Sequence, residues 1–224
     1  DEVLAVGDAA FQRKSMGKME EVTKQKGRTI LFVSHNMEAV SRLCTRSILL
    51  EKGRVKKIGP TAEVIEEYLR GYDANRASAQ IPMIPEKRIQ ITEANVYDNK
   101  GLKASRLEVG KSFSVELTVD VREELKNSYV GLGFIDLMTS TMLLDTLDVD
   151  ANPQYYLARN KGRYKIRFDF AQNPFNQGAV KLFLHTGTFP GSRETLHLVD
   201  GAVVITFIDS ENFASATLDG KRNA

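Results

Sequence analysis

From Phe113 to Val121 the chain alternates without a break: Phe113, Val115, Leu117, Val119 and Val121 are apolar, and Ser114, Glu116, Thr118 and Asp120 are polar. A period of two belongs to a β-strand, where successive side chains point to opposite faces, so one face meets a core and the other meets water. The same signal returns at Tyr164, Ile166, Phe168 and Phe170, at Val180, Leu182 and Leu184, and at Val203, Ile205 and Phe207. Further strands are expected at 89–98, 129–137, 141–147 and 194–199. Turn chemistry separates them in Asp98-Asn99-Lys100-Gly101, Glu108-Val109-Gly110, Asn160-Lys161-Gly162 and Asp200-Gly201. Eight short strands with no helix-period stretch among them predict an all-β antiparallel sandwich, immunoglobulin-like, over residues 89–209. Residues 210–224 read as a flexible tail.

The first 72 residues follow another rule. Met16, Met19 and Val22 lie three apart in a polar stretch, which predicts a helix ended by Gly27. Thr29–Val33 is a short apolar run, as expected of a strand buried on both faces of a parallel sheet, and Ser34-His35-Asn36 follows it. A helix is expected over Met37–Cys44, with Cys44 as a small buried hydrophobe. Ser47–Leu50 and Arg54–Ile58 flank Glu51-Lys52-Gly53 as a hairpin. Thr61 is placed to cap a last helix with Val64, Ile65, Tyr68 and Leu69 as its apolar stripe. This region is α/β in character. Small and polar residues with Pro82 and Pro85 mark a linker at 73–88.

Charge excludes some functions. Residues 1–72 hold 13 basic and 10 acidic side chains and residues 73–224 hold 18 and 19, giving +3 and −1, so neither region has the footprint of a nucleic-acid binder. No stretch approaches the roughly 18 uninterrupted apolar residues of a membrane helix. With one cysteine, no disulfide can form within the chain. Asp1-Glu2-Val3 is neither an initiator methionine nor a leader, and the chain reads as starting inside a domain. His185 and His197 have no acidic or cysteine partners at ligand spacing and read as ordinary strand residues.

Asp1-Glu2-Val3-Leu4-Ala5-Val6-Gly7-Asp8 is followed, one helix later, by the apolar run that ends in Ser34-His35-Asn36, and then by LLEKGRVKKIGPTAEVIEEYL. In order and spacing these residues resemble the Walker B end, D-loop and switch histidine of ATP-binding cassette proteins. The spelling VLAVGDAAFQ resembles the subfamily that exports O-antigen and teichoic-acid polysaccharides. Phosphoanhydride hydrolysis needs a divalent ion, an oriented water and donors for charge developing on the γ-phosphate. The resemblance implies that Asp1 would hold Mg²⁺ through water, Glu2 would polarise the attacking water, His35 would contact the γ-phosphate of ATP and Asp8 would lie at a homodimer interface. It also implies a membrane permease as partner and a peripheral position at the cytoplasmic face of the inner membrane. The phosphate-binding G-x-x-x-x-G-K-[ST] loop and the signature motif do not occur in the chain, so ATP binding and hydrolysis by this chain alone are not expected. The region resembles the C-terminal end of a nucleotide-binding domain.

In such exporters a C-terminal β-sandwich can recognise the finished glycan, and residues 89–209 resemble that extension in IQITEANVYDNKG, FSVELTV and KGRYKIRFDF. Sugar sites combine aromatic faces with amides or carboxylates. Tyr155 and Tyr156 beside Asp150, Asn152 and Gln154 have that composition, as do Phe175 and Asn176 in Asn173-Pro174-Phe175-Asn176-Gln177; Tyr129 and Phe189 are lesser candidates. Each aromatic has a plainer reading as a loop ring folded over the core. Two functions therefore stand side by side: recognition of a cell-surface polysaccharide, or a dimerisation and docking module without sugar affinity.

Overall fold

The computed structural model describes residues 30–72, 76–189 and 194–209. The chain divides into two compact units: the first ends at Gly71 and includes Met138–Ser140, and the second starts at Tyr72.

In the first unit, α1 (Met37–Leu43) starts where the Asn36 side chain accepts the Ala39 N–H at 2.8 Å. Strands β1 (Arg46–Glu51) and β2 (Arg54–Pro60) pair antiparallel. Their two-residue turn, Lys52-Gly53, has φ of 50° and 75°, the left-handed geometry that matches strand twist in a tight hairpin. Helix α2 (Thr61–Arg70) follows and buries Val64 and Ile65. Thr61 does not cap it. The helix has no side-chain cap, because the Thr61 hydroxyl donates instead to the Cys44 carbonyl at 2.8 Å. Cys44 is half-buried at the end of α1, and burial pushes its thiol up. Residues 30–33 form no strand, and Leu31 is 84% exposed: a buried strand needs neighbours to pair with, and the described residues supply none. Ile48, Leu50, Val55 and Ile58 leave the β1–β2 ribbon apolar and open to solvent. The predicted helix over 13–26 and the predicted tail lie outside the described residues.

The second unit is the expected all-β sandwich, antiparallel but for one strand pair. One sheet has the order β3-β4-β6-β9, with β3 (Ser78–Gln80), β4 (Ile89–Tyr97), β6 (Phe113–Val121) and β9 (Gly162–Phe170). The other has the order β5-β11-β10-β7-β8, with β5 (Arg106–Glu108), β7 (Ser128–Asp136), β8 (Met142–Leu147), β10 (Gly178–Thr188) and β11 (Glu194–Ile208). Helical turns α3 (Asp148–Ala151) and α4 (Gln154–Leu157) join β8 to β9. Val115, Leu117 and Val119 meet Val130, Leu132, Phe134, Leu182 and Leu184 in one core. Aromatic rings cross between the sheets, Phe113 standing edge-on to Phe134 at 6.1 Å.

Three expectations change. Part of the predicted linker is β3, which pairs with β4 through Ala79 and Ala94. The pair β5–β11 is parallel. Asp200-Gly201 is not a turn between two strands: β11 runs through it as a bulge, because β10 holds hydrogen-bonded partners on both sides, with Gly201 at φ 72°.

Candidate functional site

The residues picked out for chemistry fall in several places. Asp1, Glu2 and Asp8 lie outside the described residues. His35 is exposed and directly precedes the cap of α1. Among the described residues, no group of three His, Cys, Asp or Glu side chains is placed to hold a metal.

The proposed sugar-binding residues separate as well. Phe175 is 8% exposed, its ring stacked on Phe207 at 5.0 Å and tilted against Phe134 at 4.8 Å, so it belongs to the core. Asn176, its exposed neighbour, lines a cavity of about 380 Å³ together with Asp136, Pro174 and Gln177. Asn152 is exposed, and the Asp150 carboxylate beside it accepts the Leu147 N–H at 3.0 Å to cap α3. Tyr155 and Tyr156 are half-buried on α4 and face different neighbours. The Arg159 guanidinium lies 4.9 Å from the Tyr155 ring centre. The Tyr156 ring lies 6.5 Å from Phe189, which is 4.6 Å from Tyr129.

Beneath this corner is a buried ion pair. Arg159 Nη2 donates to Asp148 Oδ2 at 2.6 Å, and both side chains are fully enclosed. Asp148 Oδ1 accepts the Val130 N–H at 2.8 Å, so the pair ties the α3–α4 segment to the start of β7, beside Tyr129. Burial pushes the Asp148 carboxyl up, against the pull of Arg159 and of the Val130 N–H. Arg159 Nη1 has no hydrogen-bond acceptor among the described residues; the rings of Tyr155 and Tyr164 face that guanidinium.

The outer face of the five-stranded sheet carries a pattern that the sequence reading passed over. Val130, Leu132 and Phe134 face the core, so Tyr129, Gly131 and Gly133 face outward on β7. Across on β10 each meets a residue of contrasting size: Gly133 pairs with Phe183, Gly131 with His185, and Tyr129 with Gly187. The His185 ring lies over Gly131 and the Tyr129 ring over Gly187, whereas the Met142 thioether covers Gly133. A Cβ added at Gly131 would sit 2.2 Å from His185 Nε2, and one at Gly187 would sit 2.5 Å from the Tyr129 hydroxyl. His185 reaches across Gly131 to Asp145 on β8, with Nε2 and Oδ1 2.9 Å apart. His185 and Tyr129 are nearly buried in this layer, while Phe183, Phe189 and Tyr156 are half-exposed around them. Lys181 donates to Asp200 at 2.6 Å at one side of it. Flat rings beside carboxylates can stack on the C–H face of a sugar and accept its hydroxyl protons. Glycines at alternate positions of an outward strand register were the available signal.

The chain is similar to ATP-binding subunits of polysaccharide exporters: it is 52% identical over 68 residues to the O-antigen export system ATP-binding protein RfbB of Klebsiella pneumoniae, covering 30% of this chain and 27% of that protein. Longer matches are the teichoic acids export ATP-binding protein TagH of Lactococcus lactis, 35% identical over 130 residues (57% of this chain, 27% of that one), and RfbB of Myxococcus xanthus, 30% identical over 141 residues (52% and 32%). The chain thus spans only about a quarter to a third of the length of these relatives. A crystal structure of the C-terminal domain of wzt aligns over 57% of this chain and 81% of that one at 13% identity and a TM-score of 0.48, too distant a likeness for anything to rest on it. Residues 85–219, more than half of the chain, match the family model of the Wzt C-terminal domain, and the chain belongs to that family.

Proposed function

We propose that the chain is part of the ATP-binding subunit of a polysaccharide exporter, and that its sandwich reads the glycan on the outer face of the five-stranded sheet. One observation carries the second part: half-exposed Phe183 packs on His185, which is paired with Asp145, and a row of rings runs on from His185 through Tyr129 to half-exposed Phe189 and Tyr156. Asn152 and Tyr155 lie on the segment that carries Tyr156, and Asn176 lines a separate cavity. The relatives supply the export context, as subunits named for O-antigen and teichoic acid export.

In the full-length parent, ATP with Mg²⁺ would drive transport, with Asp1, Glu2, Asp8 and His35 in the roles that the resemblance assigns. Of these only His35 is among the described residues, and a single exposed imidazole is not a donor set for Mg²⁺. A homodimer, a membrane permease and a place at the cytoplasmic face of the membrane complete the proposal; no helix among the described residues is long and apolar enough to cross a bilayer.

Calorimetric titration of the chain with the surface polysaccharide of its source organism tests the glycan reading. Saturable binding that weakens about tenfold in Phe183→Ala and in Phe189→Ala is expected. Binding that ignores both substitutions would overturn it. A second reading has its own observation: β8 is an edge strand with Met142 41% and Leu143 47% exposed, suited to pairing with another chain. Concentration-dependent dimerisation without sugar binding would favour that reading.

A further inference from the structure

The charges on the outer face of the five-stranded sheet are arranged unequally in depth. An ion pair, Lys181–Asp200, and a hydrogen-bonded pair, His185–Asp145, lie there. Their basic members are sunk into the sheet, with side chains only 11% and 10% exposed, whereas the carboxylates stand at 45% and 43%. The Lys181 ammonium is covered further by the Tyr72 ring, 6.0 Å away. A ligand that settles on Phe183 therefore meets carboxylate oxygens before any basic group of these pairs.

The four-stranded sheet shows no such order. There Lys165 is 71% exposed over its partner Glu116 at 18%, whereas Asp169 at 68% stands above its partner Arg167 at 52%. Arg163 on the same strand is exposed too. The sandwich thus presents carboxylates above their basic partners beside its rings, and exposed groups of both signs on the other face.

We infer that the glycan taken by the Phe183 face is uncharged or amine-bearing, and that uronate- and phosphate-bearing polymers are excluded from it. The inference rests on the glycan reading above and adds the chemical class of the ligand. Hydroxyl groups donate to Asp145 and Asp200 as charge-assisted bonds, which strengthens a neutral sugar's hold while its ring lies on Phe183. A polymer carrying one negative charge per repeat brings like charges together at each register, which disfavours binding and slows encounter.

The test is the full chain, fluorescently labelled, on a printed panel of neutral, amine-bearing, uronate-bearing and phosphate-bearing bacterial surface polysaccharides. Phe183→Leu keeps the apolar volume and removes the ring; thermal unfolding alongside wild type establishes that it folds. Bound spots should all be neutral or amine-bearing and should lose about tenfold or more in Phe183→Leu. The double variant Asp145→Asn, Asp200→Asn should bind those spots several-fold more weakly, on the order expected for losing charged acceptors, and should gain acidic spots. Acidic polymers bound by wild type and weakened by Phe183→Leu would overturn the charge inference and leave the glycan reading standing. Acidic binding lost instead in Lys165→Ala with Arg167→Ala would place such polymers on the other sheet and support the inference. If no spot depends on Phe183, the glycan reading of this face falls, and the inference falls with it. A shift in sedimentation without a change in binding would make the face a contact between copies and overturn both.

Discussion

The two sheets of the sandwich share a core and differ on their outer faces. On the four-stranded sheet the outward residues of β9, Arg163, Lys165, Arg167 and Asp169, are all exposed, and their partners are charged groups such as Glu116. Glu93, Asn95 and Lys103 extend the polar network there; the hydrogen bond from Asn95, more than any other group, holds the Glu93 carboxyl below its usual range. On the five-stranded sheet the outward positions hold rings opposite glycines. A long charged side chain can swing aside when a neighbour changes, so the first face is tolerant. A ring lying on backbone has nowhere to go, so the second is sensitive to single atoms.

The largest expected effect lies at the corner of the sensitive face. Asp148→Ala leaves Arg159 charged and enclosed, and should cost about 3–5 kcal/mol in urea denaturation; a cost near zero would mean that the guanidinium escapes to water. Next, Gly187→Ala places a Cβ 2.5 Å from the Tyr129 hydroxyl and 2.7 Å from the Glu194 carbonyl, one of them backbone. A loss of about 1–3 kcal/mol and a disturbed tyrosine environment in near-ultraviolet circular dichroism are expected. Neutral behaviour would show that the ring layer is loose and would dissolve the contrast between the faces.

A pH effect comes from within the sandwich. His197 is 3% exposed, and its Nδ1 accepts the Ile91 N–H at 3.1 Å, so the folded imidazole must be neutral at that nitrogen. Burial first, and Lys87 second, hold its pKa below the ordinary value. The unfolded chain binds this proton near pH 6.5 and the folded chain only at lower pH. Stability from this group is therefore complete above about pH 6.5 and declines as pH falls below it. Urea midpoints from pH 8 to 5 should show that decline, flattened in His197→Asn. The smallest effect belongs to the tolerant face: Lys165→Ala should change stability by about 0–1 kcal/mol. A larger change would show that the charged face is as tightly coupled as the ring face.

Alternation made the sandwich legible, since Phe113 to Val121 can bury one set of side chains only as a strand against a second layer. It hid the role of Asp200-Gly201, because a glycine with positive φ serves a turn or a bulge equally well, and only the partners on β10 distinguish them. Part of the ring site was legible: Tyr129, Tyr156 and Phe189 stand out as aromatics near turns. Phe175 stood out in the same way, and its ring fills the core. Phe183, His185 and Asp145 did not stand out, because on their own strands they are ordinary residues.

By itself the sequence determined which positions face inward, through the two-residue period of the strands, and it carried the resemblance of residues 1–72 to a nucleotide-binding domain. The tertiary structure decided which outward residues meet. Phe183 lies opposite Gly133, and His185 lies opposite Gly131, through a β7–β10 register that joins residues about fifty positions apart. That register is set by backbone hydrogen bonds and by the fit of the shared core, both non-local, so no window of sequence contains it.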